Sequence, residues 1–160
     1  MFCLRCLGTV LLACCTLSIH ADPPTKPEIK MTRAEKEIFD LINLERKKKD
    51  LRPLKVNLLL IKIARDHSAN MAKQGKLEHD LDGKKAAKRI LDAGYDYLYT
   101  GENIAENMGF PAKAIVKDWM DSEKHRKNIL YPEYTETGVG IVADKNGLLK
   151  YTQVFGKPRK

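Results

Sequence analysis

An α+β fold, with helices packed on a small, mainly antiparallel sheet, is what this sequence predicts, and three observations carry the prediction. Capped segments with apolar residues at helical spacing fill the chain before Thr137. Beyond it the pattern changes to two runs rich in β-formers, Thr137–Ala143 and Leu148–Phe155. Between those runs, Asp144-Lys145-Asn146-Gly147 contains the Asn-Gly pair that marks a hairpin. Helices followed by a terminal hairpin argue for α+β rather than for an alternating parallel sheet.

Taken in order, the first 21 residues read as a secretory signal. Arg5 supplies the positive start, Cys6 to Ile19 are almost continuously apolar, and Ala21 is a small residue before a cut. The apolar run is too short to span a bilayer. Leu11-Leu12-Ala13-Cys14 also resembles a bacterial lipobox, in which case Cys14 would be acylated and the domain tethered to a membrane. Residues 22–30, with three prolines, form an extended leader, and residues 31–160 form one domain long enough to bury a core.

Within the domain, Thr32-Arg33-Ala34-Glu35 fits a capping box, and Ile38, Leu41 and Ile42 share a helical face until Arg52-Pro53 ends the element. Asn57 is placed to cap a second helix, in which Leu60, Ala64, His67 and Met71 form a stripe that closes near Gly75. His67 on that stripe reads as a core histidine with a satisfied ring. A short third helix over residues 84–93 ends at Gly94. Tyr95, Tyr97 and Tyr99 alternate with other residues, which suggests a strand or an aromatic wall leading into a Gly101-Glu102-Asn103 turn. In that turn Asn103 and Asn107 would organise the backbone. Pro111 sits in the first turn of a further helix with Ile115 and Trp119 inward. The same spacing brings Ser122, and His125 if the helix persists, to that side.

Composition narrows the function classes. All four cysteines, Cys3, Cys6, Cys14 and Cys15, lie in the signal, so the domain has no disulfide framework. The net charge is +8, and +7 without Arg5, which favours anionic cell-surface polymers or lipid headgroups as partners. Nucleic acid is not expected, because runs such as Lys47-Lys48-Lys49 and Lys84-Lys85 are scattered and have no stacking aromatics among them. Tyr95, Tyr97, Tyr99, Phe110 and Trp119 could wall a groove for a lipid tail, but their plainer role is to fill the core.

Five ordered motifs carry a family resemblance: Ile42-Asn43-Leu44-Glu45-Arg46, Ala64 to Met71, L-E-H-D (77–80) with G-E-N-I-A (101–105), W-x-x-S-x-x-H-R-x-N-I-L (119–130) and Thr137-Gly138-Val139-Gly140. On these the chain resembles the CAP superfamily of cysteine-rich secretory, venom-allergen and pathogenesis-related proteins, in its disulfide-free prokaryotic-type branch. The resemblance implies a three-layer α-β-α sandwich with a central cleft. It places His79, Glu102 and His125 in that cleft, with Ser122 where many members carry a second acid. Glu123 next to it points elsewhere on a helix.

Three readings of the cleft follow. Two imidazoles and a carboxylate with one open position form a ligand set for Zn or another divalent cation, so His79, Glu102 and His125 are candidate metal ligands and a metal-assisted hydrolase is an alternative function. A hydrolase could also use Ser122 as nucleophile and His125 as base, but no G-x-S-x-G elbow marks that serine. Alternatively Glu102 is a buried structural acceptor. The expectation adopted is a secreted or periplasmic ligand-binding or interaction module, without catalytic residues, whose partners are a lipid, an anionic cell-surface polymer or a protein.

Overall fold

Caps begin the helices where the sequence places them. In the computed structural model, which describes residues 30–109 and 111–159, Thr32 Oγ1 accepts the Glu35 N–H at 3.2 Å, and Glu35 Oε2 accepts the Thr32 N–H at 2.7 Å. This capping box opens α1 (Arg33–Lys47), whose Ile38 and Ile42 are buried. Asn57 Oδ1 accepts from the N–H groups of Leu59 and Leu60 and opens α2 (Leu58–Gln74), which closes on Gly75 at φ 65°. Leu60, Ala64, His67 and Met71 are all buried, as their spacing requires. The signal, residues 22–29 of the leader, every cysteine including Cys14, and Phe110 lie outside the described residues. Among the described residues no helix is long and apolar enough to cross a membrane.

Helix α3 (Ala86–Asp92) is shorter than expected, because Lys84 is tied back to Leu81 in a bridge before the helix starts. Helix α4 (Ala112–Asp121) follows Pro111 and buries Ile115 and Trp119. It does not continue through Ser122. That residue turns extended at φ −79°, ψ 122°, ends α4 and begins α5 (Glu123–Ile129). Arg126 reaches back to donate to the Met120 carbonyl at 2.6 Å, which satisfies an acceptor left free where α4 stops.

Among the described residues four strands, β1 (Lys55–Val56), β2 (Tyr97–Met108), β3 (Glu136–Ala143) and β4 (Leu148–Pro158), form one sheet in the order β1-β3-β4-β2. The β3–β4 hairpin is antiparallel, as Asn146-Gly147 predicts, with Gly147 at φ 82°. Strand β2 pairs antiparallel with β4, but β1 runs parallel to β3, so the sheet is mixed. Two residues carry too little pattern for β1 to be read from sequence. A second correction concerns Gly101-Glu102-Asn103, which is not a turn: the whole segment to Met108 is strand β2.

Helices cover both faces, so the architecture is the α-β-α sandwich. On one face Leu60, Ile63 and Ala64 of α2 pack with Tyr95 and Val154. On the other, Ile38, Ile42, Ile115, Val116 and Trp119 enclose Val139, Tyr151 and Phe155. Gly138 and Gly140 let α2 come close, since a Cβ on either would stand 2.2 Å from the Ile61 or Arg65 nitrogen. The aromatics do not form a shared wall: Tyr95 and Trp119 lie in cores on opposite faces, and Tyr99 is 42% exposed.

Charged groups join the layers. Glu35, 1% exposed, accepts both Arg65 Nε at 2.8 Å and Nη2 at 2.6 Å, which ties α1 to α2. Arg46 is fully buried and donates to the carbonyls of Arg52, Ile129, Tyr131 and Tyr134, holding the end of α5 and the loop that leads to β3. Glu45 pairs with Lys48 at 2.6 Å, as a helix-edge residue should.

Two outcomes follow. Gly140→Ala should destabilise the fold by about 1–3 kcal/mol through overpacking against α2, read as a lower denaturation midpoint at unchanged slope. Burial pushes the Glu35 carboxyl up, but the hydrogen bonds from Arg65 and Thr32 outweigh it and hold the pKa below its ordinary 4.5. Its stabilisation is therefore complete above pH 4.5 and is lost as the pH falls through the lower folded value. Glu35→Gln should flatten the stability curve in that acidic window, measured by denaturation at each pH.

Candidate functional site

Strand β2 sets the centre of the site. Successive side chains point to opposite faces of a strand, so Glu102 turns toward α2 and α3 while Asn103 turns toward α5. The Glu102 side chain is 2% exposed, and both its oxygens are engaged. His79 Nδ1 lies 2.9 Å from Oε1, and Arg89 Nη2 donates to Oε2. Toward a carboxylate oxygen Nδ1 is the ring nitrogen that donates, and Nε2 is the one that Glu102 does not engage. The His79 side chain is 47% exposed.

His79 occupies the loop between α2 and α3. Asp82, at φ 54°, accepts from Asn70 at 2.7 Å and from Gln74 at 3.0 Å, which fastens this loop to the last turns of α2. Arg89 Nη1 donates to the His79 carbonyl at 3.2 Å, so one guanidinium holds both the carboxylate and the loop beside it.

His125 comes from α5 and is half-buried. Its carbonyl accepts from Asn103 Nδ2 at 3.1 Å, and Asn128 Nδ2 donates to Asn103 Oδ1 at 2.8 Å and to the Glu102 carbonyl at 3.1 Å. These bonds seat α5 against β2. Burial first, and the neighbouring His79 second, hold the His125 pKa below its ordinary 6.5. The structure thus brings His79 next to Glu102 and within electrostatic reach of His125. Among the described residues no hydrogen bond joins the His125 ring to Glu102 or to Ser122, and Ser122 makes no side-chain cap bond. The Ser122–His125–Glu102 relay is not assembled.

Arg89 was not singled out from sequence, and His67 was read only as a core residue. His67 is buried as expected, but its ring is not satisfied: among the described residues neither nitrogen has a partner in good hydrogen-bond geometry, and Nε2 stands 3.7 Å from Glu102 Oε1, too far for a hydrogen bond. Burial drives its pKa below 6.5 against the pull of Glu102 and, weakly, of the Glu78 backbone, while Arg89 and His79 also disfavour its proton. His67 is the deeply buried member of the cluster, with its charged form disfavoured by burial. Its place in the second stripe, one helix layer behind Glu102, was the signal that could have linked them.

The CAP family model, described as the cysteine-rich secretory protein family, matches residues 39–155, and the chain belongs to that family, in its disulfide-free prokaryotic-type branch. It is 38% identical over 124 residues to the uncharacterized protein YkwD of Bacillus subtilis, covering 77% of this chain and 47% of YkwD. The chain therefore spans about half the length of that relative. Among solved structures it is similar to an extracellular protein containing an SCP domain from Bacillus anthracis. That match has a TM-score of 0.69 at 30% identity and covers 78% of this chain and 40% of the other. It also shares its fold with an outer surface protein of Borrelia burgdorferi, at TM-score 0.75 and 21% identity over 82% and 97% of the two chains.

Removing the central carboxylate should be costly, because Arg89 would stay charged with only a carbonyl to face. Glu102→Gln is expected to lower stability by about 3–5 kcal/mol, measured by chemical denaturation.

Proposed function

We propose that this CAP domain is a non-enzymatic ligand-binding or interaction module that works outside the cytoplasm, in a secreted or periplasmic setting, and takes an anionic cell-surface ligand into the cleft of His79, Glu102, Ser122 and His125. The observation that carries this reading is the complete engagement of Glu102 by Arg89 and His79. A carboxylate held in this way is not free to act as a general base. What remains open to a ligand is the half-exposed His79 imidazole, with the half-buried His125 nearby.

The net charge of +8 favours a partner bearing phosphate or carboxylate groups, such as a lipid headgroup or a wall polymer. The extracellular and outer-surface descriptions of the Bacillus anthracis and Borrelia burgdorferi proteins support the same setting. The alternative, metal-assisted hydrolysis, needs both imidazoles and Glu102 on one cation, and nothing in the contacts of Glu102 favours it.

The test is co-sedimentation of the purified protein with phosphatidylglycerol vesicles, beside affinity electrophoresis in a soluble anionic glycan. Phosphatidylcholine vesicles and a neutral glycan serve as controls. The double variant His79→Ala/His125→Ala is expected to weaken capture of one anionic probe about tenfold or more while its melting temperature stays near wild type. Equal capture by both proteins would remove the cleft from the binding role. Turnover lost on adding a chelator would replace this reading with the hydrolase.

A further inference from the structure

The family resemblance implies a divalent cation on His79, Glu102 and His125, and the side chains present do not fit one. Among the described residues no three His, Cys, Asp or Glu side chains converge as a metal would require. Glu102 is the only carboxylate of the implied set, and its oxygens already meet His79 Nδ1 at 2.9 Å and Arg89 Nη2. Because Glu102 engages Nδ1, His79 has only Nε2 to offer, and Ser122 supplies a hydroxyl where the family's second acid is expected. Two imidazole nitrogens without a free carboxylate fall short of the three protein ligands that a catalytic zinc needs.

We propose that the Arg89 guanidinium is the resident cation of this cleft, neutralising Glu102 in place of a divalent ion and bracing the His79 loop, so that the cleft is built without metal. The geometry suits that role. One nitrogen of the guanidinium meets the carboxylate and another meets the His79 carbonyl at 3.2 Å, so a single rigid group performs both tasks. The Arg89 side chain is 16% exposed and its Nε is buried without a partner among the described residues, so Glu102 and His79 are the acceptors that orient it. A divalent ion at Glu102 would meet this fixed positive charge on the same carboxylate. To bind, it would have to displace the guanidinium and leave that group charged and mostly buried.

The inference concerns the same cleft as the ligand reading without depending on it. Zinc affinity reports on Arg89, whereas ligand capture reports on the His79 and His125 imidazoles, so either can fail alone. Zn²⁺ alone, and separately Mn²⁺ alone, are titrated calorimetrically into wild type, Glu102→Gln, Arg89→Gln and the Arg89→Gln/Glu102→Gln double variant, each checked for folding by circular dichroism. Arg89→Gln is expected to bind zinc about tenfold or more tightly than wild type, and the second substitution should abolish the gain. Micromolar binding by wild type that Glu102→Gln removes would overturn the proposal. So would a folded Arg89→Gln protein with wild-type affinity. If Arg89→Gln does not fold, the histidine ring signals of wild type decide by NMR: His79 and His125 unmoved by equimolar zinc support the proposal, and a joint shift of both rejects it.

Discussion

Strand β2 is an edge strand, and the way its edge is closed governs the rest of the molecule. An open edge presents unpaired backbone groups and invites another chain. Here the Ile104 carbonyl accepts from Trp119 Nε1 at 3.1 Å, and the Glu102 carbonyl accepts from Asn128 Nδ2 at 3.1 Å. The α4–α5 segment therefore covers β2 with side-chain donors instead of a fifth strand. The break at Ser122 is part of the same solution, since it lets Trp119 and Asn128 approach the strand from two differently directed helices.

Closing the edge in this way brings two layers to one dipeptide. Glu102 faces the α2–α3 side and Asn103 faces the α5 side, so the strand edge is approached from both. His79 reaches it from a loop and His125 from a helix, although the two residues belong to opposite layers. The wide sequence separation between them carries no local signal, which explains why sequence alone could relate them only through a family resemblance.

The electrostatics of the cluster follow from burial. Glu102 is ringed by Arg89, His79 and His67, three groups able to carry positive charge around one carboxylate. Only the guanidinium is always charged. Burial disfavours the charged form of His67, and its nitrogens, unpartnered among the described residues, are the polar cost of placing an imidazole in the α2 stripe. Ser122, where the family resemblance implies a second acid, carries no charge, and Arg89 and Glu102 stand as one pair of opposite charges.

What the sequence by itself determined is local. The Thr32–Glu35 box, the Asn57 and Gly75 caps, the stripe from Leu60 to Met71 and the Asn146-Gly147 hairpin are each decided by a few neighbouring residues, and each appears as read. The names of the candidate site residues came from motifs, and His79 does meet Glu102. Tertiary structure decided the rest. Glycine and asparagine made Gly101-Glu102-Asn103 look like a turn, yet pairing with β4 along its whole length makes it strand. The two residues of β1 acquire their identity only from β3 beside them. Arg89 is ordinary as a helix residue and becomes the counter-charge of Glu102 only because α3 is packed over β2, a relation between distant segments that no local pattern encodes.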